Sequence, residues 1–209
     1  MNRPGTDSRT MSKLVWFQNW ASDHLGDIRH ERRVAALAAS LVRITSPLHD
    51  LKAADIRLLK IAALVHDVGR SVDDKTHPSV GARMVRLEPE TPLKRRQRRA
   101  VAYLTLRHRG AVPAAADDPA LRGCRDVQKL RLLLGFLRAA DALDSRRLAQ
   151  PHITVSRRGR RIRIVCRLRE DCSEARRVFA RRKKFRLLEE MLECQIEVIV
   201  MSRRLRAVA

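Results

Sequence analysis

Aromatic residues make up only 3% of this 209-residue chain: two Trp, one Tyr and four Phe. So few rings weigh against a single-strand nucleic-acid binder of the stacking kind. They also leave the core to Leu, Val, Ile and Ala, which favours helices. Cysteine is scarce as well. Cys124, Cys166, Cys172 and Cys194 form no CxxC and no paired zinc spacing, the pattern of ordinary thiols in a reducing compartment. No apolar run approaches the ~20 residues needed to span a bilayer, and the opening MNRPGTDSRTMSKLVWFQNW has no long apolar h-region. A cytoplasmic protein with no membrane partner is therefore expected. The chain also lacks a glycine-rich phosphate loop and any internal repeat.

Base and hydrophobe are abundant. A hydrophobic content of 44% supports a real core, and the length suits one domain with an appendage. The formal net charge is +22 and the pI about 11.5. Only eight of the 45 basic residues are lysine; the rest are arginine, whose planar fork suits phosphate and other oxyanions. GC-rich coding explains arginine over lysine, but not the excess of base over acid. Such a field recruits polyanions and is sharply salt-sensitive.

Apolar periodicity divides the chain. A loose tail and a short helix over Met11 to Trp20 occupy residues 1–25. A helical core follows over 26–150. Its helices are expected over Asp27 to Thr45 with Asp27 as cap, Ala53 to Val68 with Gly69 as C′ glycine, His77 to Arg86, Pro92 to His108, and Arg125 to Asp144. RGAVPAAADDPALRG reads as a loop. Residues 151–209 carry 17 basic and 7 acidic residues. There HITVSRRGRRIRIVCRL reads as a hairpin, followed by a basic helix over Cys172 to Met191 and a closing strand, CQIEVIVM. The fold class is mainly α, a helical bundle with a small α+β appendage packed on it.

The chemistry gathers around one dipeptide. His66-Asp67 closes the apolar segment IAALVHDVGR, and His30, His77, His108 and Asp141 lie on or beside other helices. A histidine near an apolar face is ordinarily a hydrogen-bonded core residue. Asp141 is harder to explain that way. It shares a helical stripe with Leu134 and Leu137, and a carboxylate facing a core is costly unless it meets a cation, a donor or a metal. His30 likewise aligns with Val34, Leu37 and Leu41. Imidazole and carboxylate together suit a divalent ion that activates water at phosphorus, and the set admits Mn, Fe, Ni, Co, Zn or Mg.

The stretches HERRVAALAASL, LLKIAALVHDVGRSV, HPSVGARMV, YLTLRHRGAVP and LLGFLRAADALDSRR together resemble the helical HD-superfamily phosphohydrolases. The closest resemblance is to the C-terminal HD-like domain of the exopolyphosphatase/guanosine pentaphosphate phosphatase family. The segment from HITVS to ARRKKFRLLEEML resembles that family's hairpin and last helix, so the likeness covers nearly everything after residue 25. It implies that His30, His66, Asp67 and Asp141 hold a metal, with His66 and Asp67 at the centre of catalysis. His77 and His108 match histidines that hold a second ion or phosphate. Arg107 stands where two-metal members carry another histidine, so one second-site ligand is missing. Arg70, Lys75, Arg107 and Arg109 are the candidate phosphate-binding residues.

The family's actin-like N-terminal half, which carries its exopolyphosphatase chemistry, is absent from this chain. Two functions follow. One is a metal-dependent phosphohydrolase acting on a phosphoester, nucleotide or polyphosphate. The other is a non-catalytic polyanion-binding or regulatory module that grips polyphosphate through LKRRQRR, RRGRR and ARRVFARRKK. Sequence-blind nucleic-acid binding and a separate actin-like phosphatase subunit are further expected partners.

Overall fold

The computed structural model describes residues 12–169 and 173–202. Helix α1 (Lys13–Leu25) starts where Ser12 Oγ accepts the Val15 amide at 3.3 Å, and it buries Phe17, Trp20 and Ala21. It runs a full turn beyond the expected Trp20; Met11 lies outside the described residues. Helix α2 (Arg29–Ile44) puts His30, Val34, Ala38 and Leu41 on its buried face. Asp27 lies one residue ahead of the cap position and accepts the Arg29 amide at 2.9 Å, so it closes the first turn from outside.

Helix α3 (Ala53–Val65) is apolar on nearly every side and lies among α1, α2, α5 (Arg95–Arg107) and α6 (Val127–Ala142). It stops at Val65, and a one-turn 3-10 helix, Val68–Ser71, follows His66-Asp67. Gly69 is therefore not the C′ residue expected of it. A Cβ there would lie 2.2 Å from the His77 carbonyl oxygen, so the glycine admits the start of α4 (His77–Leu87). That close approach brings His77 beside Asp67.

Helices α4 and α5 pack on each other, with α5 starting three residues after Pro92. The loop after α5 is tied down by arginines from α6. Arg138 donates to the carbonyls of Arg107 and Gly110 at 2.7 and 2.9 Å, and Arg131 to that of Pro113 at 2.9 Å. Helix α6 is buried almost all round.

Strands β1 (His152–Arg158) and β2 (Arg161–Leu168) form the expected antiparallel hairpin, and β3 (Gln195–Ser202) pairs parallel to β2. Ile162, Ile164, Cys166 and Leu168 form the buried face of β2. The connection is not one helix. It comprises α7 (Ser173–Phe179), a 3-10 turn over Arg182–Lys184, and α8 (Arg186–Leu192); Cys172 lies outside the described residues. Phe179 and Phe185 are both fully buried. A continuous helix would splay them about 120° apart, so the break satisfies the core. Helix α8 rests on α6 at Gly135, where a Cβ would meet the Leu188 Cα at 3.0 Å. The chain is thus mainly helical with a small three-stranded sheet. No described helix is long and apolar enough to cross a membrane.

Candidate metal centre

Four imidazoles converge because each is anchored through its Nδ1, three of them in the same way. His66 ends α3 and its Nδ1 lies 2.7 Å from the Ala63 carbonyl. His108 ends α5, with Nδ1 2.7 Å from the Thr105 carbonyl. His77 opens α4, with Nδ1 2.7 Å from the Asp74 carbonyl. A carbonyl only accepts, so each Nδ1 carries the proton. His30, in the first turn of α2, instead meets the carboxylate of Asp144 at 2.5 Å. The Nε2 atoms are thereby left to face one another across the bundle.

Asp67 and Asp141 sit among them, each divided between two duties. Asp67 Oδ1 lies 3.1 Å from His77 Nε2, 3.3 Å from His108 Nε2 and 3.8 Å from His66 Nε2. Its Oδ2 receives Arg70 Nε at 2.9 Å and Arg146 at 3.1 Å. Asp141 Oδ1 lies 3.5 Å from His30 Nε2 and 3.7 Å from His66 Nε2, while its Oδ2 receives Lys184 Nζ at 2.6 Å. Arg146 also pairs with the fully buried Glu31.

The electrostatics follow from this crowding. Burial works against protonated His30, yet its bonds to Asp141 and Asp144 outweigh it and raise the pKa to about 9. Burial likewise opposes charge on His66, but the neighbouring Asp67 and Asp141 carboxylates raise its pKa. Both carboxylates are held far below the usual range. Burial acts to raise them, but the charge of His66 with the close imidazoles of His108 and His77 prevails at Asp67, and the neighbouring His30 and His66 imidazoles with the Lys184 ammonium at Asp141. Burial pushes His108 down to about 4.

His66 Nε2 is buried and has no hydrogen-bond partner, although it faces two carboxylates. A buried unpartnered nitrogen is costly, and a metal ion relieves that cost. Two overlapping sets, His30-His66-Asp141 and His66-Asp67-His108, hold their donor atoms within 4.8 Å of one another. Imidazole and carboxylate donors of this kind fit a divalent ion, and the Nδ1 anchors hold the rings in a ligating tautomer.

The HD domain family matches residues 27–146, more than half of the chain. The chain belongs to the HD-domain family. HD domains are typically metal-dependent hydrolases, and the matched span contains both histidine–carboxylate sets. No curated protein matches the chain.

A polar cavity of about 370 Å³ opens beside the HD cluster, where His30 and the acids Asp67, Asp74, Asp141, Asp144 and Glu174 face six bases: Arg70, Arg109, Arg146, Arg147, Arg181 and Lys184. Of the expected phosphate-binding residues, Arg70 and Arg109 line it. Arg107 does not: it makes a two-point pair with Asp118 at 3.0 and 2.6 Å, which fixes the loop after α5. Lys75 is exposed and is not among the lining residues. Glu31, Asp144 and Arg146 were not singled out by sequence, and Arg181 and Lys184 were expected only as part of the polyanion-binding run ARRVFARRKK. The spacing of DALDSRR, with Asp144 three residues after Asp141, was a usable signal for Asp144 and Arg146. For Lys184, which reaches the site from outside the matched span, the basic run pointed to a polyanion surface and not to the HD cluster.

Proposed function

We propose that this HD-domain protein is a phosphohydrolase whose substrate is a compact, phosphate-rich ester or anhydride, with inorganic polyphosphate in that class. The observation that carries the reading is the buried, unpartnered His66 Nε2 among four tautomer-fixed imidazoles and two carboxylates, opening on a basic cavity. His30, His66, Asp67 and Asp141 would hold the ion, with His77 and His108 beside Asp67 as further donors. A divalent ion there supplies Lewis acidity toward a phosphoryl oxygen and makes a water nucleophilic near neutral pH.

The protein's own part is positioning. Arg70 and Arg146 hold Asp67 so that Oδ1 faces the imidazoles. Asp144 keeps the His30 Nε2 directed at Asp141. Arg109 offers its guanidinium to phosphate. Among the described residues no Phe, Tyr or Trp lines the cavity while six bases do, which favours substrates recognised through phosphate. Released phosphate from inorganic pyrophosphate and from p-nitrophenyl phosphate, measured with Mn²⁺, Ni²⁺, Zn²⁺ or Mg²⁺, is expected for the wild type. It is expected to vanish in His66→Ala/Asp67→Ala.

A second reading, a polyanion-binding module, is favoured by a separate groove of about 810 Å³ on the sheet, lined by Arg157, Arg158, Arg161 and Arg163. Under that reading polyphosphate binding survives the double substitution and no metal-dependent turnover is found.

A further inference from the structure

Among the described residues Lys184 is the one lysine lining the cavity, and it comes from outside the HD match. It ends the 3-10 turn between α7 and α8, and the next residue, Phe185, is fully buried. The turn itself packs on α6. The side chain is therefore delivered by a fixed backbone and is 18% exposed.

Its ammonium group carries three donors. One meets Asp141 Oδ2 at 2.6 Å and a second approaches the His108 carbonyl at 3.4 Å. A third is left over for the cavity. Asp141 presents its other oxygen to His30 and His66, so the lysine takes the outward oxygen and leaves the inward one free for ligation.

Arg181, three residues earlier, and Arg109 line the same cavity. Both are exposed and make no ion pair among the described residues. Arg70 and Arg146, by contrast, are committed to Asp67. Arg147, also exposed and without an ion pair among the described residues, lines the cavity as well, so Lys184, Arg181, Arg109 and Arg147 are the cations available to an incoming anion.

We infer that Lys184 is a substrate-binding residue that donates to a phosphoryl oxygen with Arg181 beside it, so that the C-terminal segment completes the HD site. The inference rests on the phosphohydrolase reading for its substrate, but its anion site is testable alone. The probe is inorganic pyrophosphate, titrated calorimetrically into full-length Mn²⁺-loaded wild type, Lys184→Met, Lys184→Gln, Lys184→Arg and Arg181→Met, beside steady-state hydrolysis and bound-metal assays.

Lys184→Met is expected to keep its metal and weaken pyrophosphate about tenfold or more, as for loss of one charge-assisted bond. Lys184→Arg is expected to restore part of that affinity, and KM to rise more than kcat falls. Unchanged pyrophosphate affinity in metal-replete Lys184→Met overturns the inference and leaves the lysine as a clamp on Asp141. Should Lys184→Met not fold or not retain metal, Lys184→Gln and Arg181→Met decide, and wild-type affinity in both overturns it. Wild type that binds pyrophosphate in a Lys184-dependent way but hydrolyses nothing contradicts the phosphohydrolase reading and leaves the anion site standing.

Discussion

Each imidazole of the centre is committed before any ligand arrives, because its Nδ1 already has an acceptor. At His30 the acceptor is a carboxylate, and it sets both tautomer and basicity. Replacing Asp144 by Ala is expected to weaken metal binding about 10–100-fold, with Asp144→Asn, which keeps an acceptor oxygen, intermediate. Competitive chelator titration reads this directly.

The same bond gives a pH signature. His30 has a pKa raised from 6.5 to about 9 in the metal-free fold. Its contribution to stability is therefore fully present below about pH 6.5 and is lost as pH rises through about 9. A metal needs the deprotonated Nε2, so binding near neutral pH should expel a proton and tighten toward pH 9. Calorimetry in two buffers of different ionisation enthalpy is expected to show that release. Binding enthalpy independent of buffer would contradict it.

At this scale the sequence was informative about ligands and silent about their supports. His30 and Asp141 stood out as polar residues on apolar stripes. Lys184, 43 positions from Asp141, belonged to a basic run that reads equally well as solvated surface. Arg107 misled because a guanidinium beside a site histidine suggests phosphate, whereas Asp118 captures it through a loop that no periodicity describes.

Secondary elements were legible where an apolar stripe persisted for several turns. Helices α2, α3 and α6 lie near their expected bounds for that reason. Gly69 and the α7–α8 connection were not, because both are decided by neighbours distant in sequence: the first turn of α4 and the buried pair Phe179 and Phe185. Gly135 shows the same dependence. It allows α8 to touch the backbone of α6, and that contact carries the segment bearing Lys184. Gly135→Val is expected to destabilise the protein by about 1–3 kcal/mol through overpacking. Equilibrium urea unfolding measures this, and an unchanged midpoint would show that the two helices separate without cost.

For the whole molecule, charge and fold serve different ends. The net charge of +22 sets which partners approach, and it does not specify chemistry. Chemistry depends on α2, α3, α4, α5 and α6 each bringing one piece of a cluster to a common point. The central claim is that this point is a metal centre. Its most direct test is elemental analysis of the protein as purified, without added metal, beside His66→Ala/Asp67→Ala. About one equivalent of a divalent metal in the wild type, absent from the variant, is the predicted result. No metal in either protein, even after loading with Mn²⁺ or Ni²⁺, would contradict the account.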